Sequence, residues 1–180
     1  MLLASSLGVA ATSVRHASAA PVSGGTLKIG YTEDYVTFDP AEASGIDEGT
    51  LYATLYSGLY QLDKNNQPQL DLAAAPPVIT NHAKVWTFKI RKGVLFSNGT
   101  ELTANDVKYS ILRVLSPKLK PISYAQQDDN IFVGSDAYTK GKASDVSGIQ
   151  VLDKYTIRFQ LTNPLPLLPN ILGQGYNKVV

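Results

Sequence analysis

Apolar and polar positions alternate most cleanly in two stretches of the chain. In Val85-Trp86-Thr87-Phe88-Lys89-Ile90-Arg91, residues Trp86, Phe88 and Ile90 fall on one face and Thr87, Lys89 and Arg91 on the other, the period of two that a half-buried strand requires. Tyr155, Ile157, Phe159 and Leu161 repeat the pattern against Thr156, Arg158 and Gln160. Between the two, Val107, Ile111, Val114 and Leu115 recur at helical spacing. Thr103-Ala104-Asn105-Asp106 reads as a capping box at the start of that helix, and Ser116-Pro117 reads as its end.

Weaker signals fill the rest. Thr26-Leu27-Lys28-Ile29-Gly30-Tyr31 alternates like a short strand, and residues 31–45 hold no period and read as a loop. Leu51, Leu55 and Leu59, with Tyr52, Tyr56 and Tyr60 beside them, predict a helix with a broad apolar face, capped by Asp47 and weakened at its last turn by Gly58. Asp63-Lys64-Asn65-Asn66 predicts a hairpin-like turn, and Ala75-Pro76-Pro77 an extended stretch. Val94-Leu95-Phe96 reads as a second short strand, followed by the turn Asn98-Gly99. Asp136-Ala137-Tyr138 reads as the start of a short helix. The expected order is β, α, β, β, α, β, a mixed α+β fold without internal repeat.

Both ends of the sequence depart from this pattern. Residues 1–14 are nearly uncharged and rich in Leu, Ala and Val, and Ala17-Ser18-Ala19 then offers a small-x-small cleavage pattern. Residues 1–20 thus read as a signal peptide cut after Ala19 or Ala20, the alternative being an Ala/Ser-rich tail. No Lys or Arg precedes the apolar run, so the expectation includes a true start upstream of Met1. At the other end Asn163-Pro164-Leu165-Pro166 launches an apolar segment over 167–172, and Val179-Val180 closes without a cap, a charged tail or a strand. The expected reading is a truncated chain, with residues 21–180 the first part of a longer domain.

Composition narrows the chemistry. The 180 residues allow one domain or a little more. A net charge of +1 with both signs interspersed gives no field to draw a phosphate backbone, so nucleic acid is not an expected partner. The absence of cysteine removes disulfides, thiolate nucleophiles, thiolate metal sites and a lipid-anchor cysteine. His16 and His82 are isolated, so neither metal nor cofactor is expected. Glu33-Asp34 and Asp128-Asp129 are adjacent acids that read as solvated loop charges rather than an acid/base pair. No nucleophile elbow and no phosphate-binding glycine loop occurs. The chain therefore reads as a non-enzyme. Tyr52, Tyr56 and Tyr60 fit a helix flank packing inward better than a stacking platform for sugars.

Several strings together carry a resemblance. Ala83-Lys84-Val85-Trp86-Thr87-Phe88-Lys89-Ile90-Arg91-Lys92-Gly93, Phe96-Ser97-Asn98-Gly99 and Leu102-Thr103-Ala104-Asn105-Asp106-Val107-Lys108-Tyr109-Ser110 resemble the extracellular solute-binding proteins of the peptide and nickel class (family 5). Gly24-Gly25-Thr26-Leu27, Thr37-Phe38-Asp39-Pro40, Tyr56-Ser57-Gly58-Leu59 and Gly148-Ile149 fall in the family's order. The likeness is greatest to the oligopeptide-binding branch. It implies a two-lobed fold, of which this chain would hold the first strand of the N-terminal lobe and an appended subdomain.

The resemblance also implies a monomeric substrate-binding component of an ABC importer, exported to the periplasm or cell exterior, that captures oligopeptides and hands them to permease subunits. Alternatives are a ligand such as nickel chelate, haem or oligosaccharide, a sensor or adhesion module, or, in another class, a secreted hydrolase. Ser44, Gly45 and Ile46 are the implied ligand-binding loop, where free backbone groups would pair with an extended peptide; the competing reading is an ordinary turn before a helix. Tyr124, in Ser123-Tyr124-Ala125, matches a cleft-facing tyrosine, against a half-buried loop tyrosine. Trp86, Phe88, Thr103 and Asp106 read as strand core and helix cap.

Overall fold

A computed structural model of the chain describes residues 24–26, 28–30, 37–42, 46–119, 126 and 130–180, with Ile46 and Asp47 described by their backbone alone. The expected signal peptide, the acidic pairs Glu33-Asp34 and Asp128-Asp129, and the candidate residues Ser44, Gly45 and Tyr124 lie outside the described residues. The chain divides into two units, Met1–Gly30 and Tyr31–Val180. In the first, Thr26, Lys28, Ile29 and Gly30 are exposed and form no strand. This corrects the expected strand over 26–31, because alternation makes a strand only where a neighbour takes up its backbone groups.

In the second unit the two clean alternations become the centre of one sheet. Strands β3 (Val78–Thr80), β4 (Val85–Lys89), β5 (Ile149–Asp153) and β6 (Thr156–Gln160) form an antiparallel sheet in the order β3-β4-β6-β5. Trp86 lies opposite Phe159 and Phe88 opposite Ile157. The ring of Phe88 packs 5.4 Å from Phe159, which meets Phe132 at 5.1 Å. All three phenylalanines are fully buried. Thr156 is also buried, against its expected outward face, because its hydroxyl donates to Asp153 at 2.7 Å and accepts from Lys89 at 2.6 Å.

Helix α2 (Ala104–Val114) closes the sheet with Val107, Ile111 and Val114 buried. Its capping box forms as expected: the Thr103 amide donates to Asp106 Oδ2 at 2.7 Å, and the Thr103 hydroxyl accepts from backbone amides of the first turn. The expected strand at 94–96 reduces to one bridge, Leu95 to Glu101, since the turn at Asn98-Gly99 leaves room for no longer ladder. Strands β3 and β5, unanticipated, are edge strands.

Between β3 and β4 the chain turns through Asn81, His82 and Ala83 with φ of 51°, 52° and 60°. Left-handed geometry costs an L residue about 1–2 kcal/mol. The Ala83 carbonyl is fixed there by Trp86 Nε1, which donates to it at 2.8 Å.

A second region precedes the sheet. A single 3-10 turn (Pro40–Glu42) leads toward helix α1 (Ile46–Leu55), which is followed by the hairpin β1 (Tyr60–Leu62) and β2 (Pro68–Leu70). The Asp63 carboxylate accepts from the amides of Asn65 and Gln67 at 2.8 and 2.9 Å, making the expected turn. Helix α1 ends four residues before the reading that ran it through Leu59. Residues 58–60 pair their backbone with 71–73 instead: Leu59 O accepts from Asp71 and Ala73, and Gly58 N donates to Asp71 Oδ2 at 3.1 Å. Asp47 sits inside the helix and is not its cap. Tyr52 and Glu48 are buried on α1, while Leu55 is 54% exposed.

Past helices α3 (Ser135–Thr139) and α4 (Leu168–Leu172), the chain returns to α1 and α2. The Val179 amide donates to Ser57 O at 2.9 Å and the Val180 amide to Ser110 Oγ at 3.0 Å. Gly175 is pressed on Gly49, where an added Cβ would stand 2.2 Å from the Gly49 oxygen. Only a residue without a side chain fits this approach.

Candidate ligand-binding region

The segment that leads to the candidate loop is held by polar contacts on nearly every residue. The Thr37 hydroxyl accepts from the Asp39 amide at 3.0 Å, and Asp39 Oδ1 accepts from the Ala41 amide at 3.0 Å. Asp39 also takes a two-pronged ion pair from the Arg113 guanidinium, reaching across from α2. Such planar, charge-assisted pairs fix direction as well as position. Two tyrosines of the α1 region complete the clamp: Tyr52 donates its hydroxyl to Thr37 O and Tyr56 to Phe38 O, each at 3.0 Å.

The electrostatics follow from this geometry. The hydrogen bond from Arg113 holds the Asp39 carboxyl below its ordinary range, with partial burial opposing it, and Asp39 in turn raises the Arg113 value. Tyr52 is pushed up to about 12, first by burial and then by the charges of Glu48 and Asp39. Tyr52 therefore stays a protonated donor near neutral pH. Its chemistry is positioning.

Of the four candidate residues, only Ile46 falls among the described ones. It is the first residue of α1, and the anchored 3-10 turn ends at Glu42. Two positions after Tyr124 in the sequence, the side chain of Gln126 is buried and donates to Ser116 O at 3.2 Å. Farther along α1, Gly49, Thr50 and Ala53 line a groove shared with Gln61 of β1 and with Gln174 and Tyr176. It is floored by small residues and edged by amides.

Sequence reasoning missed Arg113, Tyr52 and Tyr56 as the anchors of this segment. The available signal was chemical: a buried tyrosine hydroxyl needs an acceptor, and the 31–45 loop is rich in carbonyls. Among the described residues no cluster of three or more His, Cys, Asp or Glu stands ready for a metal ion, and no helix is long and apolar enough to cross a membrane. His82 lies exposed in the left-handed turn.

Comparison with known proteins gives concordant matches. The model described as bacterial extracellular solute-binding proteins, family 5 Middle, matches residues 67–180. The periplasmic murein peptide-binding protein MppA of Escherichia coli is 30% identical over 141 residues, 77% of this chain and 26% of that protein. The periplasmic oligopeptide-binding protein OppA of E. coli is 30% identical over 138 residues, 76% of this chain and 25% of that protein. A solved structure of Listeria monocytogenes OppA bound to peptide superposes with a TM-score of 0.72 at 26% identity, covering 79% of this chain and 28% of that one. The chain thus spans about a quarter of the length of the relatives it matches.

Proposed function

Given that the chain belongs to the family 5 bacterial extracellular solute-binding proteins, we propose that it serves peptide capture outside the cytoplasm as part of the substrate-binding component of an ABC importer. The observation that carries this reading is the superposition on a relative solved with peptide bound, reinforced by sequence relatives named for murein peptide and oligopeptide binding. The clamp on residues 37–42 supports Ser44, Gly45 and Ile46 as the loop that meets the peptide. Anchoring of the preceding segment lowers the entropy a binding loop has to lose, which favours main-chain pairing with an extended ligand. Tyr124 would add an aromatic face and a hydroxyl donor. The capture step uses no acid, base or nucleophile of the chain.

The expected partners are a peptide on one side and the permease subunits of the importer on the other, with export directed by residues 1–20 and the protein acting as a monomer. Isothermal titration of the chain with tri- and tetrapeptides tests the ligand. Saturable heat with peptides, reduced by Gly45→Pro, is the expected result. A response to nickel chelate, haem or an oligosaccharide with none to peptides overturns the peptide reading while leaving the family in place. Cleavage of the peptide during titration would replace capture with hydrolysis.

A further inference from the structure

Lys178 is 4% exposed, and among the described residues its Nζ has no hydrogen-bond partner. It lines a small cavity of about 20 Å³ with Ser110, Ile111 and Val114 of α2, Leu59, and Leu172 of α4, room for one water molecule and no larger group. The charged groups of α2 are occupied elsewhere: Asp106 with Thr103, Lys108 with Asp145 and Arg113 with Asp39. Asp71 is the carboxylate that acts on Lys178, and one of its oxygens already serves the Gly58 amide. An ammonium without a paired acid is among the most costly groups to bury, and the usual escape is loss of the proton. Lys178 lies on the short segment that Val179 and Val180 tie to Ser57 and Ser110.

We propose that Lys178 makes the docking of residues 177–180 a proton-linked step: the segment seats with Lys178 as the free amine and lifts away when that amine takes a proton. Burial lowers the lysine below its ordinary 10.5, with Asp71 opposing. The sign follows from linkage. The undocked state binds more protons, so docking strengthens as pH rises toward 10.5 and is weakest below the lowered value. The segment also packs on Gly58, where an added Cβ would stand 2.6 Å from the Asn177 oxygen. This inference is independent of what the groove binds.

Amide hydrogen exchange of Val179, corrected for intrinsic rates, tests it in the full chain as pH is raised toward 10.5. Protection should climb with pH in the unaltered chain, by up to about tenfold per unit, and should be higher and flat in Lys178→Met. Equal slopes in the two chains, or weaker protection in Lys178→Met, overturn the proposal. Should Lys178→Met not fold, the Lys178 side chain can be titrated in the unaltered chain by NMR with labelled lysine. A midpoint well below 10.5 supports the device, and one at or above 10.5 ends it.

Discussion

The β4–β6 sheet with α2 and the clamp region with residues 173–180 are adjoining parts of one unit, held together by different forces. In the sheet, Trp86, Phe88, Ile157 and Phe159 exclude water by area, and few of their contacts depend on direction. In the clamp region, small areas are joined by directed bonds, from Arg113 to Asp39 and from Tyr52 and Tyr56 to backbone oxygens, and by the glycine contact of Gly49 with Gly175. The first arrangement tolerates drift in position and the second does not. A loop that must meet a ligand is placed by the second kind of contact and supported by the first.

Four substitutions probe this contrast, taken from the largest expected effect down. Phe88→Ala removes a fully buried ring packed on Tyr60, Trp86 and Phe159 and should cost about 3–5 kcal/mol. Denaturation followed by Trp86 fluorescence for the sheet and by hydrogen exchange at 57–60 and 173–180 for the clamp region should show both melting in one step, and separate transitions would break the claim that the sheet supports the clamp. Gly175→Ala sets a methyl against the Gly49 backbone and should cost about 1–3 kcal/mol. Its loss should appear in hydrogen exchange at 57–60 and 173–180 while β4 and β6 stay protected.

Arg113→Met unpairs Asp39 and should cost roughly 1–2 kcal/mol in stability, with a larger proportional loss in peptide affinity. This pair also has a pH signature. The folded carboxyl of Asp39 lies below its ordinary 3.8, so its contribution is present above that value and is lost as pH falls through the lowered one. Arg113→Met should flatten acid unfolding in that range, and an unchanged acid limb would show that the pair contributes little. Ala83→Gly relieves one left-handed residue at the expense of unfolded-chain entropy and should gain about 0.5 kcal/mol. A loss in thermal melts would mean that the Ala83 methyl, packed on the core, matters more than its backbone angle.

The sheet was legible in sequence for the reason it is stable. Alternation in 85–91 and 155–161 writes burial directly into residue type, and the capping box at Thr103 and the turn at Asp63 are local chemistry. Strands β3 and β5 were not legible because as edge strands they take their definition from their neighbours: Val78 and Ile79 are exposed yet pair with β4. The end of α1 was misread because pairing of 58–60 with 71–73 competes with the helix, and no window of one element contains both partners. Tyr52 and Tyr56 read as packing and Arg113 carried no reading at all, because their acceptors sit on another segment. The candidate residues Ser44, Gly45, Ile46 and Tyr124 came from resemblance, and what the structure adds is the anchored frame around the first three.

The order β3-β4-β6-β5 also has a consequence in time. The two central strands lie roughly 70 residues apart in sequence, so at synthesis rates of 5–20 residues per second β4 waits on the order of 4–15 s for β6. During that interval Trp86 and Phe88 face no partner, and closing so long a loop is an entropic hurdle that a local hairpin escapes. A nascent chain with its central strand still single exposes the apolar face of that strand for the whole interval.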